Sequence, residues 1–346
     1  MKFFTALLFV LGMFSSVSRA QDYNDINVSG YVFGDYFYKV DGDSSGSGSQ
    51  YSNLNKDVQG LELRRVYLTF KKNISKDFSA NVTLEGNSGI NTGGRYGVIL
   101  KVVQLTWKNL IPLGQVNIGI IPSNTFDIEQ DIWSYRSIEK TVGDFRGFGN
   151  ATDAGISITG NFDGEGKFGY ATMFAMGTGQ RTTFSKNKKY IGQLSTKPVK
   201  GLTVAAYGDY EATGEGVNTT TIKGTAGYNS PQFNIGGSVY LVNRQAPNVT
   251  DVKPFAFSVF AWAPITTSKN LTVKAFARFD NYDPDTENTT SGFKQNFITA
   301  GLDFMPVKNV HIMPNVWVNT FSDKSSMGIE RPTDMVARMT FYYKYE

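Results

Sequence analysis

Cysteine is absent from all 346 residues and histidine occurs once, as His311. The first absence excludes disulfides, thiol catalysis and cysteine-ligated metals, so an exported chain of this size must draw its stability from elsewhere. The second leaves a lone imidazole, one ligand too few for a histidine metal site. Long apolar runs are missing as well. After residue 20 nothing approaches the ~20 residues of a membrane helix, which excludes the inner-membrane classes. An excess of either charge is also lacking, with 34 basic and 30 acidic side chains, and no basic patch points to nucleic acid.

The one apolar run stands at the start. Met1-Lys2 precedes FFTALLFVLGMF, and small and polar residues then lead to Ser18-Arg19-Ala20. This reads as a secretory signal over residues 1–20, followed by a single domain over 21–346. Taking Lys2 and Arg19 from the 34 basic side chains leaves 32 against 30 acidic ones, so the pI near 8.9 overstates the basicity of the remainder.

Glycine (36 residues), tyrosine (18) and phenylalanine (26) are abundant, a mix suited to many aromatic-rich strands joined by turns. In LELRRVYLTF, residues 61–70, Val66, Leu68 and Phe70 share one face while Arg65, Tyr67 and Thr69 share the other. After the turn KNISKD, Ala80, Val82 and Leu84 alternate with Asn81, Thr83 and Glu85. Sixteen such segments are found between NVSGYVFGDYFYKV and MVARMTFYYKYE. They run nearer ten residues than the five or six of soluble sandwiches, the length that crosses a bilayer when tilted.

The connections alternate in length. KNISK, NLIPLG, DGEG, PVKG, NSP, PITTSKN and MPVKN are tight, whereas the intervening ones are longer and more polar, among them DGDSSGSGSQYSNLNKD and NSGINTGGRYG. Short periplasmic turns and long external loops are the habit of outer-membrane barrels. The expected fold is therefore all-β: a 16-stranded antiparallel transmembrane β-barrel in the bacterial outer membrane, with lipid around it.

Within such a barrel Arg65 faces the lumen. Strict alternation sets Arg64 on the opposite face, where mid-bilayer lipid costs a charge about 2 to 4 kcal/mol. Arg64 is expected near the outer lipid phosphates, at a subunit contact or beside a bulge; a local register shift that wets both arginines is the alternative.

The longest connection, from Pro122 to Asp153, is the third external one. Ile128, Ile132, Tyr135 and Ile138 recur at three and four residues, which predicts a short amphipathic helix. Loops of this length are usually functional, and a sixteen-stranded lumen is wide enough to need narrowing if it is to select. We expect the loop to fold toward the lumen as a constriction. Its charges Glu129, Asp131, Arg136, Glu139, Lys140, Asp144 and Arg146 interleave both signs, as a transverse field would. On the strands, parity turns Glu85, Asp209, Glu211, Lys223, Lys274, Arg278 and Arg338 inward. The residues expected to line the pore or its constriction are Arg65, Glu85, Glu129, Arg136, Glu139, Lys140, Arg146, Lys274 and Arg278.

Two other outer-membrane readings are weighed against a channel. An adhesin would use its external loops and needs no inward-folded one. A barrel enzyme would need a nucleophile and base at its rim, and no nucleophile motif accompanies His311, which falls at the expected periplasmic end. The expectation is of a protein that is not an enzyme and uses no cofactor or metal.

Three stretches resemble the porin family that includes the phosphate- and pyrophosphate-selective channels (porins O and P): LRRVYLTFKKNISKDFSANVTLEG, VNIGIIPSNTFDIEQDIWSYRSIEK and DFRGFGNATDAGISITGNF. The resemblance spans roughly the N-terminal half of the domain. It implies a trimeric channel passing ions and small hydrophilic solutes by diffusion. Arg64, Arg65, Glu129, Arg136 and Glu139 fall at recurrent family positions, and Arg64 and Trp107 at possible subunit contacts, Trp107 serving equally as an interfacial girdle residue. Two departures stand out: the near-neutral mature chain, where phosphate-selective members have basic funnels, and an end at Tyr345-Glu346 rather than on an aromatic residue.

Overall fold

The computed structural model describes residues 25–44, 51–92, 95–325 and 327–345. The signal segment and Glu346 lie outside the described residues. Sixteen strands follow in order: β1 (Asn27–Asp41), β2 (Gln59–Asn73), β3 (Phe78–Thr92), β4 (Arg95–Lys108), β5 (Gly114–Pro122), β6 (Thr152–Asn161), β7 (Phe168–Ala175), β8 (Lys189–Thr196), β9 (Leu202–Ala212), β10 (Asn218–Asn229), β11 (Asn234–Gln245), β12 (Phe255–Thr267), β13 (Thr272–Asp283), β14 (Phe293–Val307), β15 (Val310–Asp323) and β16 (Asp334–Tyr345). Each pairs antiparallel with its neighbours in sequence. β1 closes the ring on β16, from Gly30 opposite Tyr345 to Asp41 opposite Met335. Closure leaves no unpaired edge, the condition a sheet must meet in a medium without water.

Burial runs opposite to that of a soluble sandwich. Leu194, Ile222 and Leu241 point outward and are 58%, 57% and 54% exposed. Inside, Asp209, Lys223, Thr221, Ser258 and Thr299 are buried among other polar groups. An apolar belt around a polar interior is the arrangement lipid requires. Trp107 is on the outer face beside the 74–77 turn, its ring 5.2 Å from that of Phe78.

All seven short turns lie at one end. At the other, one expected loop is largely absent: NSGINTGGRYG is drawn into the hairpin, with β3 reaching Thr92, β4 starting at Arg95 and those two residues paired. Strand pairing as far as Thr92 and Arg95 thus overrides the loop-like composition.

Bulges settle where the paired arginines go. Phe33 is opposite Arg65 and Gly34 opposite Leu63, so Arg64 is an extra residue in β2. Both arginines turn inward, and Arg64 is only 5% exposed. This corrects the expectations of Arg64 at the outer lipid phosphates or at a subunit contact; of the places weighed, the bulge is the one the chain adopts, with Arg64 buried rather than in water. β4 repeats the device. Thr83 is opposite Val102 and Leu84 opposite Leu100, leaving Lys101 bulged toward the lumen.

The belt is directly testable. Val259, 49% exposed on the outer face of β12, is predicted to lose about 2 to 4 kcal/mol of stability as Val259→Arg in vesicle unfolding by urea. The same change at Phe184, 99% exposed in an external loop, is predicted to stay within about 0.5 kcal/mol.

Candidate functional site: the lumen and its third loop

The chain leaves β5 at Pro122 and rejoins the barrel at Thr152. Between them, helix α1 (Asp127–Trp133) ends where Ser134 adopts φ 63°, its N–H bonded to the Gln130 carbonyl, and a single turn α2 (Val142–Phe145) follows. The expected helix is thus shorter than its apolar periodicity, since Tyr135 and Ile138 lie beyond that left-handed stop.

One side of this loop is pressed onto β10–β15. Glu129, fully buried, accepts hydrogen bonds from Ser238 (2.7 Å) and Tyr240 (2.5 Å) of β11. Tyr135 donates to Asp303 of β14 at 3.1 Å, and the Trp317 indole of β15 donates to Glu139 at 3.2 Å. Lys223 of β10 donates to the Thr125 carbonyl, and Arg278 of β13 to that of Lys140. Apolar packing completes the seat. Ile132, Trp133 and Ile138 cluster with Phe260, Phe276 and Met313, while Val142 and Phe148 meet Tyr240. Ile132 lies over Gly227 and Gly236, where an added Cβ would strike it, so two glycines in the wall make its place.

The loop's other side faces β1–β5 across a cavity of about 440 Å³. On the wall, Glu85 is shared by Arg65 (3.1 Å) and Lys101 (3.0 Å). On the loop, Asp144 is shared by Arg136 (3.7 Å) and Lys140 (3.5 Å). Each side therefore sets two cations against one carboxylate. Asp127 adds a further acid at the edge, and burial, with Asp127 nearby, raises the Asp131 carboxyl above its ordinary range.

The pore-lining residues expected from sequence thus divide. Arg65, Glu85, Arg136 and Lys140 border the cavity. Glu129, Glu139 and Arg278 do not, being 0%, 0% and 2% exposed beneath the loop, where they fasten it to the wall. Arg146 is wedged between the Phe145 and Tyr282 rings and donates to Gln295 at 2.7 Å. Lys274 lies over the Trp262 ring at 4.3 Å, in a different cavity. Lys101 went unanticipated. Its signal was a lapse in alternation at Leu100-Lys101-Val102-Val103.

Arg64 occupies a separate hub. Its Nε is 2.6 Å from Asp35, it donates to the Ser137 carbonyl, and Asp35 also accepts from Tyr51 (3.2 Å) and Thr340 (2.5 Å). Tyr51 belongs to the first external loop and stacks on Phe37 with ring centroids 3.8 Å apart. His311 meets Asp303 at 2.9 Å near the short-turn end. Among the described residues no three His, Asp or Glu side chains gather as a metal would need.

No protein-family model matches the sequence, and no curated protein matches it. Solved structures do. The chain is similar to an anion-selective porin from Comamonas acidovorans, with TM-score 0.66 and 15% identity over 93% of this chain and 99% of that one. It is also similar to the outer membrane channel DcaP of Acinetobacter baumannii, with TM-score 0.65 and 13% identity over 93% and 97%. A third likeness is to the trimer form of OmpT, an outer membrane protein of Vibrio cholerae, with TM-score 0.62 and 10% identity over 94% and 100%. At these identities the likeness establishes the fold, that of bacterial outer-membrane porins.

The hub yields a stability prediction. Arg64→Met leaves the buried Asp35 carboxylate with only the more distant Arg338 guanidinium, 3.9 Å away, and is predicted to destabilise the barrel by about 3 to 5 kcal/mol in vesicle unfolding. Adding Asp35→Asn is predicted to restore part of that loss.

Proposed function

We propose that this chain is a passive diffusion channel of the bacterial outer membrane, its short turns in the periplasm and its third loop narrowing the lumen from one side. The observation that carries this reading is the asymmetry of the loop. Hydrogen bonds and apolar clusters hold one side to β10–β15, while the side facing β1–β5 borders open space. Solutes then travel along β1–β5, past Arg65, Glu85 and Lys101 on the wall and Arg136, Lys140 and Asp144 on the loop.

The field in that passage favours anions. Four cations face Glu85, Asp144 and Asp127, so a small positive excess persists although the chain as a whole is near neutral. Fixed charges at a constriction act over a few ångströms in a low-dielectric surround, which makes local balance more important than net charge. Small inorganic anions, phosphate included, suit cations that already share their carboxylates. A homotrimer is the assembly we infer, supported by the trimer form of the Vibrio cholerae neighbour.

Two measurements test the reading. Deleting residues 126–146 is predicted to raise single-channel conductance severalfold in planar bilayers; an unchanged value would mean that the loop does not narrow the path. In a tenfold salt gradient, the intact channel is predicted to show an anion-sign reversal potential. Arg65→Glu is predicted to move it toward cations, and a potential that stays put would remove Arg65 from the passage.

A further inference from the structure

Beyond the passage, toward the short-turn end, lies a second cavity of about 500 Å³ between the loop and β1, β12–β16. Its size falls within the range of small-molecule sites. Five aromatic rings border it, among them Tyr31, Tyr135, Trp262 and Tyr342, together with the cations Arg136, Lys274 and Lys344. This sets it apart from the cavity along β5–β8, which is lined mainly by amides, hydroxyls and glycines.

The charges in this second cavity are unevenly satisfied. Asp303 is 1% exposed and already engaged, by His311 at 2.9 Å and by the Tyr135 hydroxyl at 3.1 Å. Lys274 stands directly across the β13–β14 ladder from Asp303, yet among the described residues its ammonium has no carboxylate within ion-pair distance. Its contact is the Trp262 face, 4.3 Å from Nζ to the ring centroid. Asp131, the other acid bordering the cavity, makes no ion pair with that ammonium. Lys274 thus presents an ammonium beside a π-face, with no acid of its own.

We propose that this vestibule binds small aromatic carboxylates, the carboxylate pairing with Lys274 and the ring lying among Trp262, Tyr135 and Tyr342. The chemistry selects against simpler ligands. A lone inorganic anion would leave the rings unused, and an uncharged aromatic would leave Lys274 unpaired. Ring contact and a charge-assisted hydrogen bond together suit a solute with both features. The proposal rests on the channel reading for its biological sense, since such a solute would be held at the exit of the passage, but binding itself is measurable without conduction.

The test is equilibrium dialysis of labelled benzoate against the folded protein in detergent, with the conductance of the same preparation recorded in planar bilayers. Saturable binding of one benzoate per chain is expected, with acetate and benzyl alcohol failing to compete at equal concentration. Lys274→Met keeps the stem over Trp262 and is expected to weaken binding about tenfold, as loss of one charge-assisted contact would. Lys253→Met, on the exposed rim, should leave it unchanged. Absence of saturable binding, equal competition by acetate, or full affinity in folded Lys274→Met would overturn the site. Absence of conductance with benzoate binding intact would count against the channel and leave the site standing.

Discussion

The ion pair of Asp35 with Arg64 joins parts of the barrel that lie far apart in the chain: β1 and β2 directly, β16 through Thr340, the first external loop through Tyr51 and the third through the Ser137 carbonyl. It exists because β2 carries one residue too many. Without the bulge Arg64 would face lipid, where a charge is costly; with it the guanidinium reaches a carboxylate deep in the wall. Burying such a pair costs desolvation of both ions, which only close geometry and further hydrogen bonds offset. Here the offset comes from partners on two loops, so the barrel seam and the loop positions depend on one another. The Tyr51, Phe37, Phe297 and Trp317 cluster, with Phe145 of the third loop against it, continues the same connection through apolar contact.

From that anchoring the division of the lumen follows. A sixteen-stranded barrel encloses more space than side chains fill. The third loop fills one side, covering Glu129, Glu139 and Arg278 with ring stacks and hydrogen bonds, and leaves the other to water. Charges of similar type therefore have two fates. Those under the loop are buried and hydrogen-bonded, whereas Arg65 and Lys101 share Glu85, and Arg136 and Lys140 share Asp144, beside the open part.

Much of the architecture was legible because a strand's side-chain period is exact. Alternation located sixteen strands, and the sorting of turn lengths placed both ends. What alternation cannot show is an added residue, since a bulge is decided by the partner strand; Lys101 escapes it for that reason, and for Arg64 a bulge stands only as one place among several. Parity gave the inward face of Arg278 correctly but not that a loop would cover it, and Glu129 and Glu139 look identical in sequence to charges left in water. NSGINTGGRYG, residues 87–97, reads as loop because composition registers more strongly than the strand pairing that carries most of it.

The absence of cysteine makes the central claim open to a clean measurement. Single cysteines at Thr83, beside the passage, and at Ser258, buried on β12, can be titrated with an anionic thiol reagent while current is recorded. Rapid modification and block at position 83, with position 258 silent, is the predicted result. Equal reactivity, or faster reaction at 258, would show that the loop does not lie against β10–β15 and would contradict the account.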